Sequence, residues 1–157
     1  MTYRLLSKEQ FEALHVEFAH FLATQQITKL DWDVLKANNS NQVQKQLEKF
    51  SDLVWEEVLS KTRYLEHFSK DSINLFYCKE ETIERLVVRV ENRDIDLTSE
   101  SGFNWFLDHS KDPSIHYFKG EKKYQPSRNN EVFQLIEKGA ILADSKLFQA
   151  IKKLINQ

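Results

Sequence analysis

A chain of 157 residues with 41% apolar side chains and a net charge of −2 is long enough to bury a core without metal or disulfide help, which points to a single domain over residues 1–157. One cysteine excludes an internal disulfide, and three glycines and two prolines leave little material for a phosphate loop or a linker. No apolar run approaches a signal-peptide core or a membrane span, so the expected location is cytoplasmic and no membrane partner is expected. The charge is uneven. Residues 1–110 carry 13 Lys/Arg against 19 Asp/Glu, whereas residues 111–157 carry 9 against 5, so only the C-terminal part offers a basic surface to a polyanion.

In chain order, Ser7 with Gln10 three residues on is a capping box, and Phe11, Leu14, Phe18, Phe21 and Leu22 follow at helical spacing, which predicts one amphipathic helix over residues 7–25. Thr28 with Asp31 opens a short helix to about residue 37. Asn38-Asn39-Ser40-Asn41 then breaks the chain before a longer helix over residues 41–59. Val43, Leu47, Phe50, Leu53, Val54 and Val58 form the main stripe of that helix, and Trp55 and Leu59 lie off it, flanked by Asp52 and Glu56. Such a second apolar face is buried between two layers or presented to a partner.

From Tyr64 the pattern becomes strand-like. Residues 64–68, 72–78 and 83–90 are rich in aromatic and β-branched side chains and are separated by polar turns, which predicts a three-stranded antiparallel meander. In the last of these, Val88 and Val90 alternate with Arg85 and Arg89, the sign of one covered and one wet face. Thr98 or Ser99 caps a helix carrying Phe103, Phe106 and Leu107 on one side and Trp105 on the other. Residues 115–118 are a candidate fourth strand, and residues 120–128 read as a loop. Residues 131–138 form a helix ended by Gly139, and Asp144 or Ser145 caps a last helix. The fold class is α+β: N-terminal helices packed on a small antiparallel sheet, with helices at the C-terminus.

Four segments together resemble a family of small bacterial proteins that has no assigned function: Phe50-Ser51-Asp52-Leu53-Val54-Trp55; Tyr64-Leu65-Glu66-His67; Asp96-Leu97-Thr98 with Gly102-Phe103-Asn104-Trp105; and Phe133-Gln134-Leu135-Ile136-Glu137-Lys138-Gly139-Ala140. The resemblance implies a small cytoplasmic protein and carries no activity, cofactor or site residues.

Candidate chemistry is thin. Glu12 with His15 and Glu17 with His20 have the spacing of carboxylate–histidine metal ligands, but no second motif of that kind exists to complete a site, so no metal or cofactor is expected. Asp52 and Glu56 are a helical carboxylate pair without an identifiable catalytic companion, and His67 with Cys78 lacks any oxyanion partner, so no catalytic residue is assigned. The aromatic signal is stronger. Trp55, Leu59 and Trp105, with Asp52 and Glu56 as a polar rim, have the composition of a protein-binding hot spot, and two-sided burial explains the same pattern. The leading expectation is a non-enzymatic protein-interaction or adaptor module with an unidentified protein partner or self-association. The alternative is an accessory single-stranded RNA-binding protein using the basic-aromatic loop 117–128, through Lys119, Lys122, Lys123, Tyr124 and Arg128.

Overall fold

The computed structural model describes every residue from Met1 to Gln157, and the fold is α+β, with seven helices and one five-stranded antiparallel sheet. The chain divides into two compact units, Met1–Ser60 and Lys61–Gln157. No helix is long and apolar enough to cross a membrane.

The first unit is helical: α1 (Lys8–Ala13), α2 (His15–Thr24), α3 (Lys29–Asn38) and α4 (Ser40–Lys61). Both capping boxes form as the sequence implies, Ser7 with Gln10 and Thr28 with Asp31. The single helix expected over residues 7–25 is two, because Leu14 leaves helical backbone at φ −105°, ψ 25°. α2 ends in a Schellman turn in which Gln26 takes the left-handed position, φ 60°, while Ile27 N–H donates to the Leu22 carbonyl at 2.9 Å.

One aromatic cluster joins these helices. The Phe18 ring lies 5.0 Å from Phe50, 5.4 Å from Trp32 and 5.8 Å from Phe11, and Phe21 lies 5.5 Å from Phe50. α4 is rotated from the expected stripe. Gln46, Phe50, Ser51, Trp55 and Leu59 are buried, while Leu53 is 57% exposed and Val58 36%. Phe50 belongs to either stripe, so periodicity alone could not choose, and the choice made here covers Trp55, the largest side chain on the helix.

The second unit holds the sheet: β1 (Tyr64–Phe68), β2 (Ser72–Cys78), β3 (Thr82–Val90), β4 (Ile115–Lys123) and β5 (Ile141–Ala143), in the order β4-β3-β2-β1-β5. The helices of this unit are α5 (Glu100–Asp108), α6 (Arg128–Glu137) and α7 (Lys146–Ile155). The meander forms as the sequence predicts. β4 runs five residues past the expected strand, because every residue of β3 from Val90 back to Thr82 has a partner on it.

Register sorts the side chains by face. On the closed face Ile73, Leu75, Leu86, Val88, Val90 and Ile115 pack with Phe106 of α5 and with Phe148 and Ile151 of α7. The turn before α5 folds back on the helix so closely that Gly102 has no room for a side chain: a Cβ there would lie 1.8 Å from the Asp96 carbonyl oxygen. At Gly120, on β4, an added Cβ would meet nothing within 4 Å. Gly102→Ala is therefore expected to lower the melting temperature by about 5–10 °C, and Gly120→Ala to leave it nearly unchanged; thermal unfolding followed by circular dichroism checks the pair.

Candidate functional site

The residues that the sequence offers to a protein partner are mostly occupied within the chain. Trp55 is 8% exposed and Leu59 fully buried, and the Arg4 guanidinium lies 5.0 Å above the Trp55 ring. The Asp52 carboxylate accepts the backbone N–H groups of Thr2 and Tyr3 at 2.8 and 2.9 Å, and Glu56 accepts the Tyr3 hydroxyl. Burial, with that hydrogen bond and the two carboxylates, pushes the Tyr3 hydroxyl up to about 12. These acids tie the N-terminal segment to α4. Trp105 is half-buried and stacks on His109 at 4.8 Å.

His67 and Cys78 do not form a pair. His67 stands opposite Asn74 on β2, and Cys78 is four residues further along that strand, about 13 Å away. Cys78 is fully buried, and burial pushes its thiol up to about 11. His15 bonds the carbonyl of Glu12 at 3.0 Å, and no group of three or more His, Cys, Asp or Glu side chains gathers where a metal ion would sit.

The stretch 117–128 is a strand, a turn and the start of a helix rather than a loop, and strand alternation divides its cations. Lys119 and Lys123 lie on the closed-face side, Lys119 reaching Asn156 at 3.4 Å. Lys122 lies on the other side, 3.2 Å from Glu131. Arg128 is turned inward. Its guanidinium donates to the carbonyls of Lys79 at 3.1 Å, Cys78 at 3.3 Å and Thr62, which fastens the start of α6 to the end of β2. Tyr124 donates to the same Lys79 carbonyl at 2.7 Å, and burial pushes its hydroxyl up to about 12.

With α6 fastened there, it covers one end of the second sheet face and leaves the rest open. Phe76, Cys78 and Ile83 are buried at the covered end. Over Phe76 and Ile83, between the sheet and α6, runs an open groove of about 920 Å³. Its apolar floor includes Phe76, Ile83, Leu135 and Ala140, and four amides line it, Asn74, Gln125, Asn130 and Gln134.

Arg85 stands at its centre, opposite Phe76 on one side and Gly120 on the other. Its Nε and Nη2 donate to Asn74 Oδ1 at 3.1 and 2.5 Å, its guanidinium lies 5.7 Å over the Phe76 ring, and the missing side chain at Gly120 leaves it uncovered toward β4. His67 is positioned by the chain reversal after α6, where Gly139 adopts φ 109° and a Cβ would come within 3.2 Å of His67 Nε2.

The electrostatics are one-sided. Both carboxylates in the groove wall are already engaged: Glu121 by Lys79 at 3.2 Å and Thr82, Glu131 by Lys122 and the Gln125 N–H. Arg85 and Lys138 in the wall, and Arg89 four residues along β3 on the same face, make no ion pair. Three cations thus face solvent with their charge unspent. The sequence marked Arg85 and Arg89 as a wet face but not as a site; the amide-rich run from Gln125 to Gln134 was the other available signal.

A family model described as a family of unknown function (DUF6495) matches residues 1–156. No curated protein and no solved structure matches the chain.

Two measurements check these placements. Trp55→Ala is expected to cost roughly 3–5 kcal/mol of stability in denaturant unfolding, as for a core aromatic. The Cys78 thiol, protonated well above pH 9, is expected to react with a thiol reagent at pH 8 only as fast as the protein unfolds, and at once in guanidinium.

Proposed function

The chain belongs to this family of unknown function, and from its geometry we propose that it is a non-enzymatic binding module that holds single-stranded RNA in the groove between the sheet and α6. The observation that carries this reading is the pair of unspent cations, Arg85 and Lys138, set over an apolar floor among four amide side chains. Phosphates take the cations, and the floor accepts the faces of bases. Asn74, Asn130 and Gln134 offer donors and acceptors to base edges. A single strand fits this chemistry because its bases are free to turn toward the floor, whereas a duplex keeps them stacked inward.

The groove holds no nucleophile beside a base. Its two carboxylates are tied to lysines, and the one thiol is buried outside its wall. These features favour retention of a ligand over its conversion.

Fluorescence anisotropy with a labelled single-stranded RNA tests the proposal. Binding is expected at low salt, with log K falling against log salt at a slope of about −1.4 for the two contacts, and by about 0.7 less for each contact removed. Arg85→Glu and Lys138→Glu are each expected to weaken binding about tenfold or more. Lys123→Glu, on the other side of β4, is expected to change it by less than about threefold. No binding at 50 mM salt, or an equal loss from Lys123→Glu, overturns the reading.

A further inference from the structure

Outside the groove wall, the same sheet face continues toward the far ends of β3 and β4. Pairing register sets Phe118 beside Val87, in the row that also holds Asn74 and His67, and sets His116 beside Arg89 in the next row. Phe118 is 53% exposed and makes no contact with another aromatic ring, whereas its neighbour Tyr117 turns to the closed face and meets Phe106 at 6.4 Å. A large apolar ring left on an open, cationic sheet face does nothing for the core. Arg89 beside it is exposed and unpaired, and the carboxylate of Glu91 lies 3.3 Å from His116 Nε2, a contact that pairs charge only when that imidazole is protonated.

We infer that Phe118 and Arg89 form a second subsite, in which a base stacks on the Phe118 ring while Arg89 holds the adjoining phosphate. This rests on the reading of the groove as an RNA site and extends it: the ligand is a strand several nucleotides long, not a mononucleotide. Arg85 and Arg89 are four residues apart on one face of β3, so their backbone positions are about 13 Å apart along the strand. A ligand confined to the groove reaches one of them, and an extended oligonucleotide reaches both. Val87, half-buried between the two arginines, gives a low apolar bridge over which the strand passes.

The test compares ligands of two lengths, a hexauridylate and a uridine dinucleotide, on the full chain. Phe118→Ala is expected to weaken hexauridylate binding about tenfold and to leave the dinucleotide within about twofold, because only the longer ligand reaches the ring. Phe118→Trp is expected to restore or exceed wild-type affinity for the hexamer. Arg85→Glu is expected to weaken both ligands. If Phe118→Ala leaves the hexamer unchanged while Arg85→Glu abolishes binding, the second subsite is overturned and the groove stands. Equal losses for both lengths overturn the subsite as well, since they place the ring in the groove's own binding. Failure of the wild-type chain to bind either ligand overturns both proposals.

Discussion

The two-residue alternation of β3 governs what the protein can present to a ligand. Leu86, Val88 and Val90 turn to one side and are almost fully buried against α5 and α7, which pins the register of the strand. Arg85, Val87 and Arg89 must then turn to the other. A slip by one residue would drive two arginines into an apolar core and expose three aliphatic side chains, a cost of several kcal/mol that keeps the cations where they are. The same register carries across to β2 and β4, so Phe76, Asn74, Gly120 and Phe118 fall around the arginines as a consequence of pairing.

How much of that face stays open is decided by α6. Arg128 uses charge-assisted hydrogen bonds to backbone carbonyls, stronger than neutral ones, to fix the first turn of α6 over the end of β2. The helix is ten residues long, and Gly139 turns the chain back to form β5 beside β1. α6 is therefore long enough to seal Cys78 and Ile83 but not to cover Arg85, Asn74 or His67. An arginine that looks like an RNA contact in the sequence thus does structural work, and its anchoring creates the groove in which other cations are exposed.

The sequence carried the parts of this fold that depend on neighbours in the chain. Both capping boxes, the meander, the Ser99 cap and the Gly139 stop are local signals, and each is present. The resemblance to a family without an assigned function also holds, since that family spans nearly the whole chain. What failed depended on distant partners. Which side of α4 is inside could not be read from a helix with two apolar stripes sharing Phe50. The second half of β4, Lys119-Gly120-Glu121-Lys122-Lys123, has poor intrinsic strand character and is held in the sheet by its pairing with β3. β5 is three residues long, too short for any periodicity. The groove draws on four strands and a helix scattered between residues 67 and 140, so no window of sequence contains it. The wet face signalled by Arg85 and Arg89 was legible; that it stands beside four amides and an exposed phenylalanine was not.

The central claim is that the open sheet face, and no other surface, receives a single-stranded RNA. The most direct measurement is a titration of the isotopically labelled chain with an unlabelled oligonucleotide, following backbone amide and side-chain resonances by NMR. The account predicts shifts at His67, Asn74, Arg85, Arg89, Phe118, Gly120 and Lys138, with Ile73, Leu75, Leu86 and Val88 on the closed face unaffected. Shifts centred on α4, on α7 or on the N-terminal segment, or none at saturating RNA, would contradict it.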